Sequence, residues 1–111
     1  MRGLNINSDG SISVYYESGN SAQVWTTKDG LNSQGDNPAE IWRDKDGNTL
    51  MEGWYKNDQL HRDGNKPARI GYKDDSVAFE AWYENGVEVR SQTYTEESES
   101  FWRDSKVLMK N

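Results

Sequence analysis

Cysteine is absent from this chain, histidine occurs once and proline only twice. Without thiols there is no disulfide framework and no thiolate metal site, and the composition suits a reducing cytosol. The single imidazole, His61, rules out multi-histidine metal centres and leaves little from which to build a nucleophile–base relay. Long apolar runs are missing too. No stretch can cross a bilayer, and Met1 to Ser8 lacks the continuous apolar segment of a secretory signal. The expected place of action is therefore the cytoplasm, the host cytoplasm if a phage encodes the chain, with no membrane partner. Positive charge is also in short supply, since the formal net charge is −6. Direct nucleic-acid binding is not expected, because it rests on excess Lys and Arg.

Leu, Ile, Val and Phe total 17 of 111 residues, a fraction that by itself suggests disorder. Five Trp and six Tyr oppose that reading. Each large aromatic buries roughly 150–250 Å², so a few of them replace many aliphatics. They are also spaced regularly. Trp25 is followed by Pro38-Ala39-Glu40-Ile41 and, 29 residues on, Trp54 is followed by Pro67-Ala68-Arg69-Ile70. A third copy opens at Trp82, where Trp82-Tyr83-Glu84-Asn85-Gly86 aligns with Trp54-Tyr55-Lys56-Asn57-Asp58. A unit this short cannot bury its apolar face alone, so it must stack on its neighbours. The pattern predicts about three copies of a 28–29-residue unit in one domain over residues 1–111, with a repeat-like region of roughly 20–95 and terminal segments as caps.

Turn chemistry separates the copies into short strands. Asp-Gly occurs at Asp9-Gly10, Asp29-Gly30, Asp46-Gly47 and Asp63-Gly64, joined by Asn85-Gly86 and Ser18-Gly19-Asn20, all sites where positive φ is easily reached. Between them lie segments of period-two character, so the expected class is all-β: an antiparallel meander of β-hairpin repeats turning near Gly19, Gly47, Asp74-Asp75 and Gly86. Alternation places Val77, Phe79, Ala81 and Tyr83 on one face and Ala78, Glu80 and Trp82 on the other. The same rule sets Met51, Gly53 and Tyr55 against Leu50, Glu52 and Trp54. Trp25, Trp54 and Trp82 should then occupy equivalent faces, with Trp42 and Trp102 outside their row. The tail beyond Glu96 reads as a final strand rather than a helix.

The stretch from Glu52 through Trp54-Tyr55, Asn57, His61-Arg62 and Gly64 to Pro67-Ala68-Arg69-Ile70 resembles the divergent MORN-like repeat E-x-W-Y-x-N-G-x-x-H-R-x-x-G-P-A-x-I. That repeat is found in phage and giant-virus proteins and in bacterial antitoxin-like proteins. The third copy keeps Trp82-Tyr83, Asn85-Gly86 and Arg90 without a Pro-Ala; the first has Thr26 and Asn32-Ser33 where the pattern has Tyr and His-Arg. The resemblance implies successive β-hairpins and a general interaction role.

Individual motifs favour structure over catalysis. In His61-Arg62 the guanidinium can bridge a carboxylate or carbonyl and the imidazole can brace the next turn. Asp44-Lys45-Asp46-Gly47-Asn48 has alternating oxygen ligands, but its glycine comes too early for a calcium loop and a hairpin turn is expected. No catalytic residue, cofactor or metal ligand is assigned. The candidate partner-binding residues are Glu96, Glu97 and Glu99, the most acidic run, with Phe101, Trp102 and Tyr94 as anchors beside it, and Tyr55 and Tyr83 from the aromatic region around Trp54 and Trp82. The expected partner is a protein, with a basic or nucleic-acid-binding groove. Together these point to a non-enzymatic binding module, an inhibitor of phage or mobile-element type, such as an anti-CRISPR or other counter-defence protein. An antitoxin neutralising a basic toxin is the alternative, and a small hydrolase or lyase is the alternative of another class.

Overall fold

The computed structural model describes residues 3–94, which form twelve strands and no helix, and so no helix long and apolar enough to cross a membrane. In chain order these are β1 (Gly3–Ile6), β2 (Ile12–Tyr15), β3 (Ser21–Val24), β4 (Thr26–Thr27), β5 (Gly30–Leu31) and β6 (Glu40–Arg43). They continue as β7 (Thr49–Gly53), β8 (Tyr55–Lys56), β9 (Gln59–Leu60), β10 (Arg69–Lys73), β11 (Ser76–Glu84) and β12 (Val87–Thr93). Eight of them make one sheet in the order β1-β2-β3-β6-β7-β10-β11-β12, antiparallel at every pairing, while β4-β5 and β8-β9 are separate two-stranded ribbons. The all-β meander is thus the observed architecture.

Each turn follows from its residues. Asp74 and Asp75 have φ of 50° and 64°, and Asn85 and Gly86 have 49° and 84°. Two consecutive positive φ values define the two-residue hairpin turn whose twist matches the strands. Gly19 and Gly47 take φ of 94° and 86°, each donating its N–H three residues back, to Tyr16 and to Asp44. Within the second of these turns the Asp44 carboxylate accepts the Asp46 and Asn48 N–H groups, both at 2.9 Å. The motif is a hairpin tip, as its early glycine indicated.

Cross-strand register places Val14, Ala22, Trp42, Met51, Gly71 and Phe79 side by side on one face. Trp42, Met51 and Phe79 are at most 1 % exposed and form the core with Ala22, Ala78 and Ala81. The Tyr16 ring stacks on Trp42 at 5.6 Å. Burying the side chains of Trp42, Met51 and Phe79 contributes on the order of 2 kcal/mol or more each. The register shifts at three points, one of them between Trp82 and Tyr83, opposite Val89, and the other two change which residues are buried. The pairing slips between Trp42 and Arg43, opposite Leu50, and between Gly71 and Tyr72, opposite Ala78. A bulge turns its extra residue out of the period-two pattern, so Ala78 is buried beside Phe79 and Leu50 packs on the core instead of facing away with Glu52. Val77, placed by alternation on one face with Phe79 and Ala81, is exposed while those two are buried.

Candidate functional site

Three hairpin tips at one end of the sheet, those of β4–β5, β8–β9 and β11–β12, lie side by side, tied by their own backbone. Asp58 N–H donates to the Leu31 carbonyl at 2.8 Å and Gly86 N–H to the Leu60 carbonyl at 2.8 Å. Leu31 N–H donates to the Asp58 carboxylate at 3.0 Å. A Cβ at Gly30 would meet that carboxylate at 2.6 Å, and its φ of +96° is one that other residues avoid, so this contact requires glycine. His61 Nδ1 accepts the Asn85 N–H at 3.1 Å and braces the next tip, and its Nε2 lies 2.8 Å from Asp63. The ring therefore carries its proton on Nε2.

The tryptophans occupy corresponding places at the base of these tips. Trp25 N–H donates to the Ala39 carbonyl and Trp54 N–H to the Ala68 carbonyl, while the Trp25 carbonyl accepts from Asn32 and the Trp54 carbonyl from His61. The Trp54 indole N–H donates to the Asp36 carbonyl at 3.0 Å and the Trp82 indole N–H to the Asn65 carbonyl at 3.2 Å. Over each of these two rings lies a guanidinium at 3.8 Å, from Arg62 over Trp54 and Arg90 over Trp82. Arg62 is held from every side. Its Nε and one terminal nitrogen donate to the two Asp36 oxygens at 2.9 and 3.2 Å, and the other donates to the Pro67 carbonyl at 3.0 Å. Lys66 donates to Asp36 at 2.8 Å. Hydrogen bonds from Arg62 and then Lys66 hold the Asp36 carboxyl well below the usual carboxylate range. A groove of about 550 Å³ opens here between Asn32, Trp54, Arg62 and Lys66. At the first copy a cleft of about 370 Å³ runs between Asp9, Trp25, Gln34, Asn37, Pro38 and Ile41.

A second polar cluster is internal. Glu40 and Arg69 stand on either side of Gly53 in the sheet, and both are buried. Tyr55 folds back over that glycine, its hydroxyl 3.2 Å from Glu40 and 3.5 Å from the Arg69 guanidinium. Burial pushes the Glu40 carboxyl up, against the opposing pull of the Arg69 charge. Burial, followed by the Glu40 charge, pushes the Tyr55 phenol up as well. The Tyr55 hydroxyl thus links Glu40 and Arg69 in a structural brace. Among the described residues no three His, Cys, Asp or Glu side chains gather to hold a metal ion.

Of the candidate residues read from the sequence, three are described: Tyr55 and Tyr83 lie on the core face and Tyr94 on the other. Glu96, Glu97, Glu99, Phe101 and Trp102 lie outside the described residues, as does the expected final strand. Tyr55 is half-buried: its hydroxyl belongs to the brace on the core face, and the residue also lines the groove beside Trp54. Tyr83 is half-buried against the core and bonds Glu88 at 3.3 Å. Tyr94 is exposed and donates to Glu80 at 2.5 Å, on the opposite face of the sheet. Sequence reasoning overlooked Asp36, Glu40 and Arg69. Glu40 and Arg69 fill the same variable place in the two Pro-Ala-x-Ile motifs with opposite charges, a signal that could have paired them. Comparison with known proteins returns no matching family model, curated protein or solved structure.

Proposed function

We propose that this protein is a non-enzymatic protein-binding module, built from MORN-like hairpin units and acting in the cytoplasm as an inhibitor of the phage or mobile-element type. The observation that supports this most is the row of hairpin tips with its tryptophan sockets, a polar and aromatic surface set on rigid backbone. Recognition surfaces of this kind rely on aromatic and arginine anchors. The net charge of −6 favours a basic partner, whose approach is steered by long-range attraction. The acidic run Glu96, Glu97 and Glu99 adds to that steering in this reading. Neutralisation of a basic toxin is the second form of the same chemistry.

The reading is tested with a photo-crosslinking residue placed either at Lys56 or Gln59, on the socket-side tips, or at Lys45, at the far end of the sheet. Partner crosslinking from the socket-side tips, weakened by salt and absent from Lys45, is the expected result. Equal yields from both ends, or none from either, would remove the proposal.

A further inference from the structure

A tryptophan stands in three corresponding places in the molecule, and in two of them a guanidinium lies on its ring. In the second copy the guanidinium of Arg62 lies on Trp54, eight residues before it in sequence, and in the third Arg90 lies on Trp82 at the same separation. The corresponding residue of the first copy is Ser33. Backbone bonding fixes that correspondence, because Asn32 donates to the Trp25 carbonyl as His61 does to that of Trp54. Ser33 cannot cover the indole. Its side chain is short, and its Oγ accepts the Tyr55 N–H of the neighbouring hairpin at 3.0 Å.

What surrounds Trp25 matches what holds Arg62. The filled socket consists of an indole face, the carbonyl of Pro67 and the carboxylate of Asp36. The open one has the indole of Trp25, Pro38 in the place of Pro67, and the carboxylate of Asp9, which itself accepts the Trp25 indole N–H where Trp54 and Trp82 donate to backbone carbonyls. Asp9 is presented by its own turn, its Oδ1 accepting Ser11 N–H at 2.8 Å and Ser11 Oγ–H at 2.6 Å. It is the only ionisable group among the residues lining the cleft. An indole face with one carboxylate and no cation attracts a cation through the ring quadrupole and the charge together. The planar fork of arginine also satisfies a carboxylate and a carbonyl at once, which an ammonium does less well.

We infer that the cleft between Trp25, Asp9 and Pro38 is a receptor for an arginine side chain of a partner protein, which completes in trans the stack that Arg62 and Arg90 complete in cis. This deepens the proposed docking role and rests on it for the identity of the occupant as protein. Being a single-residue site, it binds an isolated peptide only weakly.

The probe is a capped Gly-Arg-Gly peptide, with capped Gly-Lys-Gly as control, titrated into the 15N-labelled full chain while the indole N–H signals are followed. The Trp25 signal is expected to move saturably, those of Trp54 and Trp82 to stay in place, and arginine to bind at least about threefold more tightly than lysine. Ser33→Arg should fill the socket from within and weaken peptide binding about tenfold or more. Asp9→Asn should weaken it about threefold to tenfold, and keeps the test decisive should Ser33→Arg fail to fold. A stationary Trp25 signal, equal responses to arginine and lysine, or full binding by both variants would overturn the inference. A stationary signal alongside tip-specific crosslinking would remove the socket and keep the docking reading. Arginine binding without any crosslinked partner would do the reverse.

Discussion

Trp54 and Trp25 share a backbone environment and differ in fate. Trp54 is 5 % exposed beneath Arg62, whereas Trp25 remains half-buried at the mouth of a cleft. Arginine at 62 against serine at 33 is one part of the difference, since Trp82 beneath Arg90 is half-buried as Trp25 is. A guanidinium clamped by Asp36 and the Pro67 carbonyl makes an indole part of the fold. Its absence leaves the same ring available at the surface. In the proposed reading, losing that one internal contact turns a structural indole into a recognition element on the same backbone bonding.

The comparison breaks most readily at Trp54. Trp54→Ala should cost ~3–5 kcal/mol, as for any large buried aromatic, while Trp25→Ala should cost clearly less; urea unfolding that ranks them equally would contradict the distinction. Glu40→Ala is expected in the same upper range, about 3–5 kcal/mol, because it leaves the Arg69 charge buried without its carboxylate. It serves as a reference for a brace lying fully inside the sheet. Arg62→Ala should cost about 1–2 kcal/mol, from the lost ring contact and the packing of its stem. Ser33→Arg should change stability by no more than about 1 kcal/mol, since a new stack offsets the lost Tyr55 N–H bond.

Acid titration sharpens the same contrast. The Asp36 carboxyl is depressed below its ordinary value of 3.8, so its contribution to stability is present above that pH and lost as pH falls below it. Asp9 is depressed too, chiefly by the Ser11 hydroxyl. The drop at Asp36 is the large one, through two cations that Asp9 lacks. Unfolding midpoints between pH 2 and 6 should therefore show Asp36→Asn flattening the acid limb more than Asp9→Asn. Glu40 acts in the opposite sense: its raised carboxyl favours the folded state at acid pH, a contribution fully present below its ordinary value of 4.5 and lost as pH rises above that through the higher folded-state value.

Much of this was legible in the residues. Tips at Gly19, Gly47, Asp74-Asp75 and Gly86 follow from local backbone demands, which a sequence states directly. The bridging role of Arg62 and the bracing role of His61 also follow from side-chain chemistry and position. Burial of Ala78 did not, because a bulge depends on how two strands pair and leaves no mark in either alone. The Glu40–Arg69 brace was hidden for a similar reason, since it spans three strands and requires their register. Trp42 stood outside the tryptophan row, as expected. Its place at the centre of the core on the other face emerged only when Ala22 and Met51 were seen beside it. The first-copy departure at Ser33 was visible as a lost match, yet its consequence needed the filled sockets for comparison.

The claim that one socket is open where two are filled is tested most directly by solvent paramagnetic relaxation of the indole ring protons, using a soluble gadolinium chelate. Trp25 should relax fastest of the three socket tryptophans, with Trp82 intermediate and Trp54 slowest, and Ser33→Arg should slow Trp25 towards the rate of Trp82. A Trp25 ring as protected as that of Trp54 in the unsubstituted chain would contradict the account.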